Sequence, residues 1–157
     1  MKRSQYAPIA IGIASLFLLT SCGASGQGAP TRNIKQVTDG VEKDSGSIFA
    51  RNVLLVAQPD GSAVLVGTFI NEGATADLLT AMSINGVALK FDKPSYDLLQ
   101  NKPLIFSGPT ANAHAVITGL NAAAGSRVKL SVTYGKTPSI TVDVLVREKD
   151  SIYANVG

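Results

Sequence analysis

Few side chains in this 157-residue sequence could do chemistry, and each type comes nearly alone. There is one cysteine, Cys22, one histidine, His114, and two methionines, Met1 and Met82. A thiol can be acylated or oxidised, an imidazole can ligate a metal or carry a proton, and a thioether selects soft ions such as Cu(I). A Ser-His-Asp or Cys-His arrangement would have to use His114, and no Gly-x-Ser-x-Gly elbow accompanies it. Asp92, Asp97 and Asp143 are isolated carboxylates that read as solvated surface rather than acid/base pairs. The glycine-rich stretch after Cys22 neither follows a strand nor opens a helix, so it is no phosphate loop. The sequence offers no catalytic constellation, and the expectation is that the protein is not an enzyme.

Cys22 stands in a context of its own. Lys2 and Arg3 form a positive start, and Ile9 to Leu19 form an eleven-residue apolar run. A bilayer span needs about 20 apolar residues, so the run has the length of a signal peptide. It ends on Leu19-Thr20-Ser21-Cys22, followed by Gly23, where an ordinary secretory signal would end in an Ala-x-Ala-like site. The sequence is similar to a bacterial lipoprotein lipobox. It predicts cleavage between Ser21 and Cys22 and a diacylglycerol on the Cys22 sulfur. At about 0.8 kcal/mol per buried methylene, one acyl chain binds marginally and two anchor stably. The expected location is therefore the extracytoplasmic face of the cell membrane, by lipid anchor.

Removal of residues 1–21 from 157 leaves 136, enough for one domain. Lys2 and Arg3 leave with the signal, so the 14 basic side chains fall to 12 against 11 acidic, a net charge of +1. The remaining basic residues are scattered and there is no tryptophan, which excludes the usual pattern of nucleic-acid binding. With its cysteine lipidated, the domain must fold on its hydrophobic core alone.

A short core needs short, strictly patterned elements. Residues 22–46 read as the lipidated cysteine, a Gly/Ser/Pro-rich tether and a polar arm with a turn at Asp39-Gly40. From Ser47 the pattern is β. Ile48–Ala57 is a strand with a bulge or contact surface at Arg51-Asn52, and Ala63–Ile70 returns beyond the Pro59–Ser62 turn. Leu78–Ile84 and Val87–Phe91 flank Asn85-Gly86, the strongest hairpin signal in the chain. Pro94 to Pro103 is irregular, with a weak helical turn and with Tyr96, Leu98 and Leu99 free to cover an edge. Leu104–Phe106 and His114–Leu120 are further strands. In Arg127–Tyr134 and Ile140–Val146 period-2 alternation puts one face on the core; Met82 and Tyr134 read as core. Residues 149–157 read as a charged, fraying tail in which Tyr153 must dock or be exposed. The expected fold is an all-β Greek-key antiparallel sandwich of seven to eight strands over residues 47–148, cupredoxin-like or immunoglobulin-like.

The strand Val64 to Ile70 followed by Asn71-Glu72-Gly73 resembles a step of the PCu(A)C copper-chaperone family. The segment His114 to Leu120, with Gly125, Val128, Leu130 and Val132, resembles that family's C-terminal motif. The resemblance spans roughly residues 48–146 and implies a cupredoxin-like sandwich. The lipobox, Gln36-Val37, Asp39-Gly40, Arg51-Asn52-Val53 and the Gly67–Leu79 stretch further resemble the actinobacterial LpqE-type lipoproteins. That resemblance implies association with a cytochrome bcc–aa3 respiratory supercomplex.

The family's copper chemistry, as the resemblance implies it, needs two histidines and two methionines arranged as His, Met, then His-x-Met. Here His114 stands at the second histidine, but Val116 stands where the methionine would be. Counting back by the family's spacing reaches Asp92 and Ala81, neither of which replaces a lost ligand. The expectation is therefore no cofactor and no copper, with His114 as a weak candidate ligand. The leading reading is a non-catalytic, lipid-anchored accessory subunit of a respiratory oxidase. The alternatives are a copper chaperone using His114 and a module that binds a cell-envelope ligand.

Overall fold

The computed structural model describes residues Thr38–Gly157. The lipobox, Cys22 and the tether as far as Val37 lie outside the described residues. Eleven strands follow: β1 (Val41–Ser45), β2 (Ile48–Ala57), β3 (Ala63–Asn71), β4 (Asp77–Ile84), β5 (Val87–Ala88), β6 (Lys90–Phe91), β7 (Tyr96–Leu98), β8 (Leu104–Phe106), β9 (Ala115–Ile117), β10 (Arg127–Tyr134) and β11 (Ile140–Arg147). A 3₁₀ turn, Ser151–Tyr153, closes the chain. The expected all-β sandwich is what forms, with more and shorter strands than the seven or eight read from the sequence.

One face of the sandwich holds β1, β2, β3, β8, β9 and β6, and the other holds β5, β4, β7, β10 and β11. The two are joined by β11. Most of it pairs antiparallel with β10, while its last two residues, Val146 and Arg147, pair parallel with Leu55 and Val56 of β2. Between the faces lie Val53, Leu55, Leu65, Phe69, Leu79, Met82, Ile84, Leu130, Val132 and Val144, all nearly or fully buried. Met82 is a core residue, as its strand position predicted.

Local chemistry explains the turns. Asn85 and Gly86 both take positive φ, 49° and 86°, as a tight hairpin requires. In β2 the register against β3 shifts between Arg51 and Leu54, and Asn52 sits at φ 50°. The predicted bulge is there. Its Asn52 side chain accepts the Gly40 N–H at 2.9 Å, tying the polar arm down so that β1 can pair with β2. Arg51 ion-pairs with Asp44 and lies over the Phe49 ring.

Three expectations need correction. Val87 to Phe91 is not one returning strand: β5 stays beside β4, while β6 pairs with β9 on the other face. The reason is Leu89, which turns into the core between them, its N–H bound to the Met82 carbonyl at 2.9 Å. Within Pro94 to Pro103, irregular as expected, Tyr96–Leu98 forms the short strand β7 against β4 in place of a helical turn. The C-terminal segment is docked rather than free, with Tyr153 and Val156 buried against Leu54, Val56 and Val64 on the outer side of β2 and β3. Residues 53–56 are apolar without alternation because both faces of β2 are covered.

Candidate functional site

His114 lies at the rim of a cleft of about 850 Å³. Its walls are the loop from Ser107 to Ala113, Asp92 after β6, Val64 of β3 and the C-terminal residues Ile152, Asn155 and Val156. His114 itself is exposed, directly before β9.

What holds this rim is Tyr96 on β7. Its ring is buried between Phe91 and Phe106, with centroids 5.2 Å and 5.5 Å away. From beneath, the phenol donates to the Asp92 carboxylate and accepts the His114 backbone N–H at 2.9 Å. The His114 carbonyl lies 2.7 Å from the same oxygen. A phenol has one hydrogen, and the carboxylate is the stronger acceptor. The hydrogen bond from Tyr96 holds the Asp92 carboxyl below the usual carboxylate range. In return, burial first and the Asp92 bond second push the Tyr96 phenol up to about 12. Asp92 and His114 are thus brought together through a tyrosine that fastens the backbone of one to the side chain of the other.

Few metal donors gather at the cleft. The described residues contain no group of three or more His, Cys, Asp or Glu side chains placed to hold a metal. Met82, the only thioether among them, is 2 % exposed in the core. Val116, two residues beyond His114, packs against the apolar cluster of Leu54, Val56, Val64, Tyr153 and Val156. Ala81 lies on β4 opposite Thr133, outside the cleft walls. Among the described residues, the cleft thus offers one imidazole and one carboxylate, the latter already engaged by a phenol, and no thioether.

Asp97, Asp143 and Tyr134 do not line the cleft. Asp143 on β11 pairs with Lys129 of β10 at 3.1 Å on the solvent face, and Asp97 is exposed on β7. Tyr134 is core, and burial raises its phenol far above the ordinary value. Sequence reasoning missed two groups. Buried Asp77 accepts the N–H groups of Lys136 and Thr137 at 2.8 Å and 2.9 Å, pinning the β10–β11 turn to β4. Asp39 accepts the Tyr153 hydroxyl at 3.0 Å and lies 3.5 Å from Arg147 Nε. The Asp39–Tyr153 bond joins residues 114 apart, so nothing local announces it. The unalternating run Val53 to Val56 was the available signal that some segment must cover the second face.

No family model and no curated protein matches the chain. Solved structures do. It is similar to the copper-bound PCuAC domain from PmoF2, with a TM-score of 0.60 and 17 % identity over 69 % of this chain and 98 % of that one. The apo PCuAC domain from PmoF1 gives the same score and identity over 69 % and 99 %. The apo PmoF2 PCuAC domain gives 0.61 and 16 % over 71 % and 98 %. The likeness spans essentially the whole of those domains at an identity that speaks for architecture alone. The sandwich of this chain has a PCuAC-like fold.

Proposed function

We propose that this protein is a non-catalytic, lipid-anchored module of PCuAC-like fold, held by Cys22 at the outer face of the cytoplasmic membrane. There it serves as an accessory subunit of a cytochrome bcc–aa3 type respiratory complex. The observation that carries this reading is the His114 rim. Where a metal carrier needs free soft ligands, this rim has Val116 inside an apolar cluster and Asp92 tied to Tyr96. A rim built from internal bonds suits a rigid contact surface better than metal exchange. The lipobox supports the anchoring, and the resemblance to LpqE-type lipoproteins supports the partner. Affinity purification from detergent-solubilised membranes tests it. Oxidase subunits should co-elute with the native protein and not with the Cys22→Ala variant, and an eluate without them refutes the partner.

A second reading, copper delivery to an oxidase, is favoured by one observation: His114 and Asp92 line the same cleft. Titration of the Cys22→Ser chain with Cu(I) against a competing chelator separates the two, since that substitution removes the thiol. The accessory-subunit reading expects no stoichiometric binding. Tight binding abolished by His114→Ala would establish copper delivery instead.

A further inference from the structure

The C-terminal segment is attached to the sandwich in an unusual way. Its backbone hydrogen bonds close only on itself: Tyr153 to Asp150 at 2.7 Å, Ala154 to Ser151 at 3.3 Å and Val156 to Tyr153 at 3.0 Å. Every described strand, by contrast, is held by a ladder. What fastens the segment to the body is side chains. Tyr153 and Val156 cover Leu54, Val56 and Val64, with Val66 and Val116 at the margin. The Gln58 amide donates to the Val156 carbonyl at 3.3 Å and accepts from Lys149 at 2.8 Å. The Tyr153 hydroxyl donates to Asp39, which belongs to the opposite end of the described chain. The Arg147 guanidinium lies over the Tyr153 ring at 5.8 Å, its Nε near Asp39 but outside hydrogen-bond geometry. Ser151 sits at φ 44°, a strained conformation for a non-glycine residue, and Ile152 beside it is 79 % exposed.

A segment held by few apolar contacts and no ladder opens locally at far lower cost than the sheet it covers. We propose that Asp150–Gly157 is a releasable strap with Asp39 as its catch. Release uncovers the apolar strip of Leu54, Val56 and Val64 and removes the Ile152–Asn155–Val156 wall of the His114 cleft. Through Asp39 the catch ties the tail to the start of the described chain, just before β1. The inference stands on packing and does not depend on the oxidase reading.

Native-state amide exchange on the full chain in detergent tests it. The Tyr153 and Val156 amides should exchange at least a hundredfold faster than those of β2 and β3, because they open without global unfolding. Tyr153→Phe should raise the strap's exchange about tenfold, since a lost bond of about 1.4 kcal/mol is a factor of ten. Asp39→Ala should do the same, and the double variant should add little to either. A chain truncated after Lys149 should keep its strand circular dichroism and gain binding of an apolar dye. Three results would overturn the proposal: tail and β2 amides exchanging at one rate, additive effects of the two substitutions, or loss of the fold on truncation.

Discussion

Tyr96→Phe removes one oxygen from beneath the cleft rim and leaves the ring packing against Phe91 and Phe106 in place. Two interactions disappear with it, the bond to the Asp92 carboxylate and the acceptor for the His114 N–H. A bond to a charged group is worth about 1.5–3 kcal/mol net, but Asp92 is exposed and regains water, which leaves about 1 kcal/mol or less. The His114 N–H is part-buried, and leaving it unpaired costs about 1–3 kcal/mol. The expected destabilisation is about 1–4 kcal/mol near neutral pH, to be set against a stability of about 5–15 kcal/mol. At roughly 3–4 °C per kcal/mol for a domain of this size, Tm should fall by about 3–16 °C.

The same pair fixes how that difference varies with pH. The folded-state pKa of Asp92 is depressed below 3.8 by the Tyr96 bond, so its contribution is present above the unfolded value and lost as pH falls through the lowered one. The folded-state pKa of Tyr96 is raised from 10.0 to about 12, so its contribution is complete below 10.0 and lost as pH rises toward 12. The gap between wild type and Tyr96→Phe should therefore be widest near neutrality and narrow at both extremes. Urea unfolding at about pH 3, 7 and 11 measures it, with the slope unchanged between variants. A gap under about 0.5 kcal/mol at neutrality, or one that does not narrow in acid, would show that the phenol does not hold the rim.

Asn71, fully buried, accepts from Ser47 at 3.0 Å and Gly73 at 2.9 Å and donates to Thr75 at 2.8 Å and Leu98 at 2.9 Å. Asn71→Ala leaves the Leu98 carbonyl without that donor in the interior and should cost about 3–4 kcal/mol by chemical denaturation; a loss below about 1 kcal/mol would contradict the lock. Gly40→Ala fails for space: its Cβ would lie 2.6 Å from the Asn52 carbonyl oxygen and 2.6 Å from the Val53 nitrogen. It should speed amide exchange across Val41–Ser45 at least tenfold and leave β10 and β11 as they are, so unchanged exchange in β1 would refute the clash.

The parts of the fold legible in the sequence are those with local causes. Asn85-Gly86 announces its hairpin, the alternation of Arg127–Tyr134 and Ile140–Val146 announces a half-buried pair, and Arg51-Asn52 breaks a strand where the bulge occurs. What stayed hidden has distant causes. Leu89 splits a run of five residues between two sheets because the core, not the run, offers it a place. Tyr153 and Val156 look too sparse to dock until Leu54 and Val56 are seen facing them. The site was legible by halves. His114 and Asp92 were singled out from the sequence, but the tyrosine that joins them was read as an edge cover, because its hydroxyl partners lie 4 and 18 residues away.

The pairing of Asp92 with Tyr96 bears on the proposed use of this rim as a contact surface. A chelating site needs donors that turn freely toward the ion, whereas a docking surface needs donors whose geometry is already paid in folding. Here the carboxylate is oriented by a buried aromatic, the His114 backbone is fastened by the same oxygen, and the imidazole and carboxylate both face outward. On the proposed anchoring, attachment through Cys22 would present this rim to a membrane partner at an effective concentration on the order of millimolar. An interface with a Kd of about 1 mM, about 4 kcal/mol, would then be half occupied without further contacts. The proposed partner therefore need only match a small, rigid, neutral-to-acidic rim, and disabling the tether by Cys22→Ala should cost more occupancy than any single rim substitution.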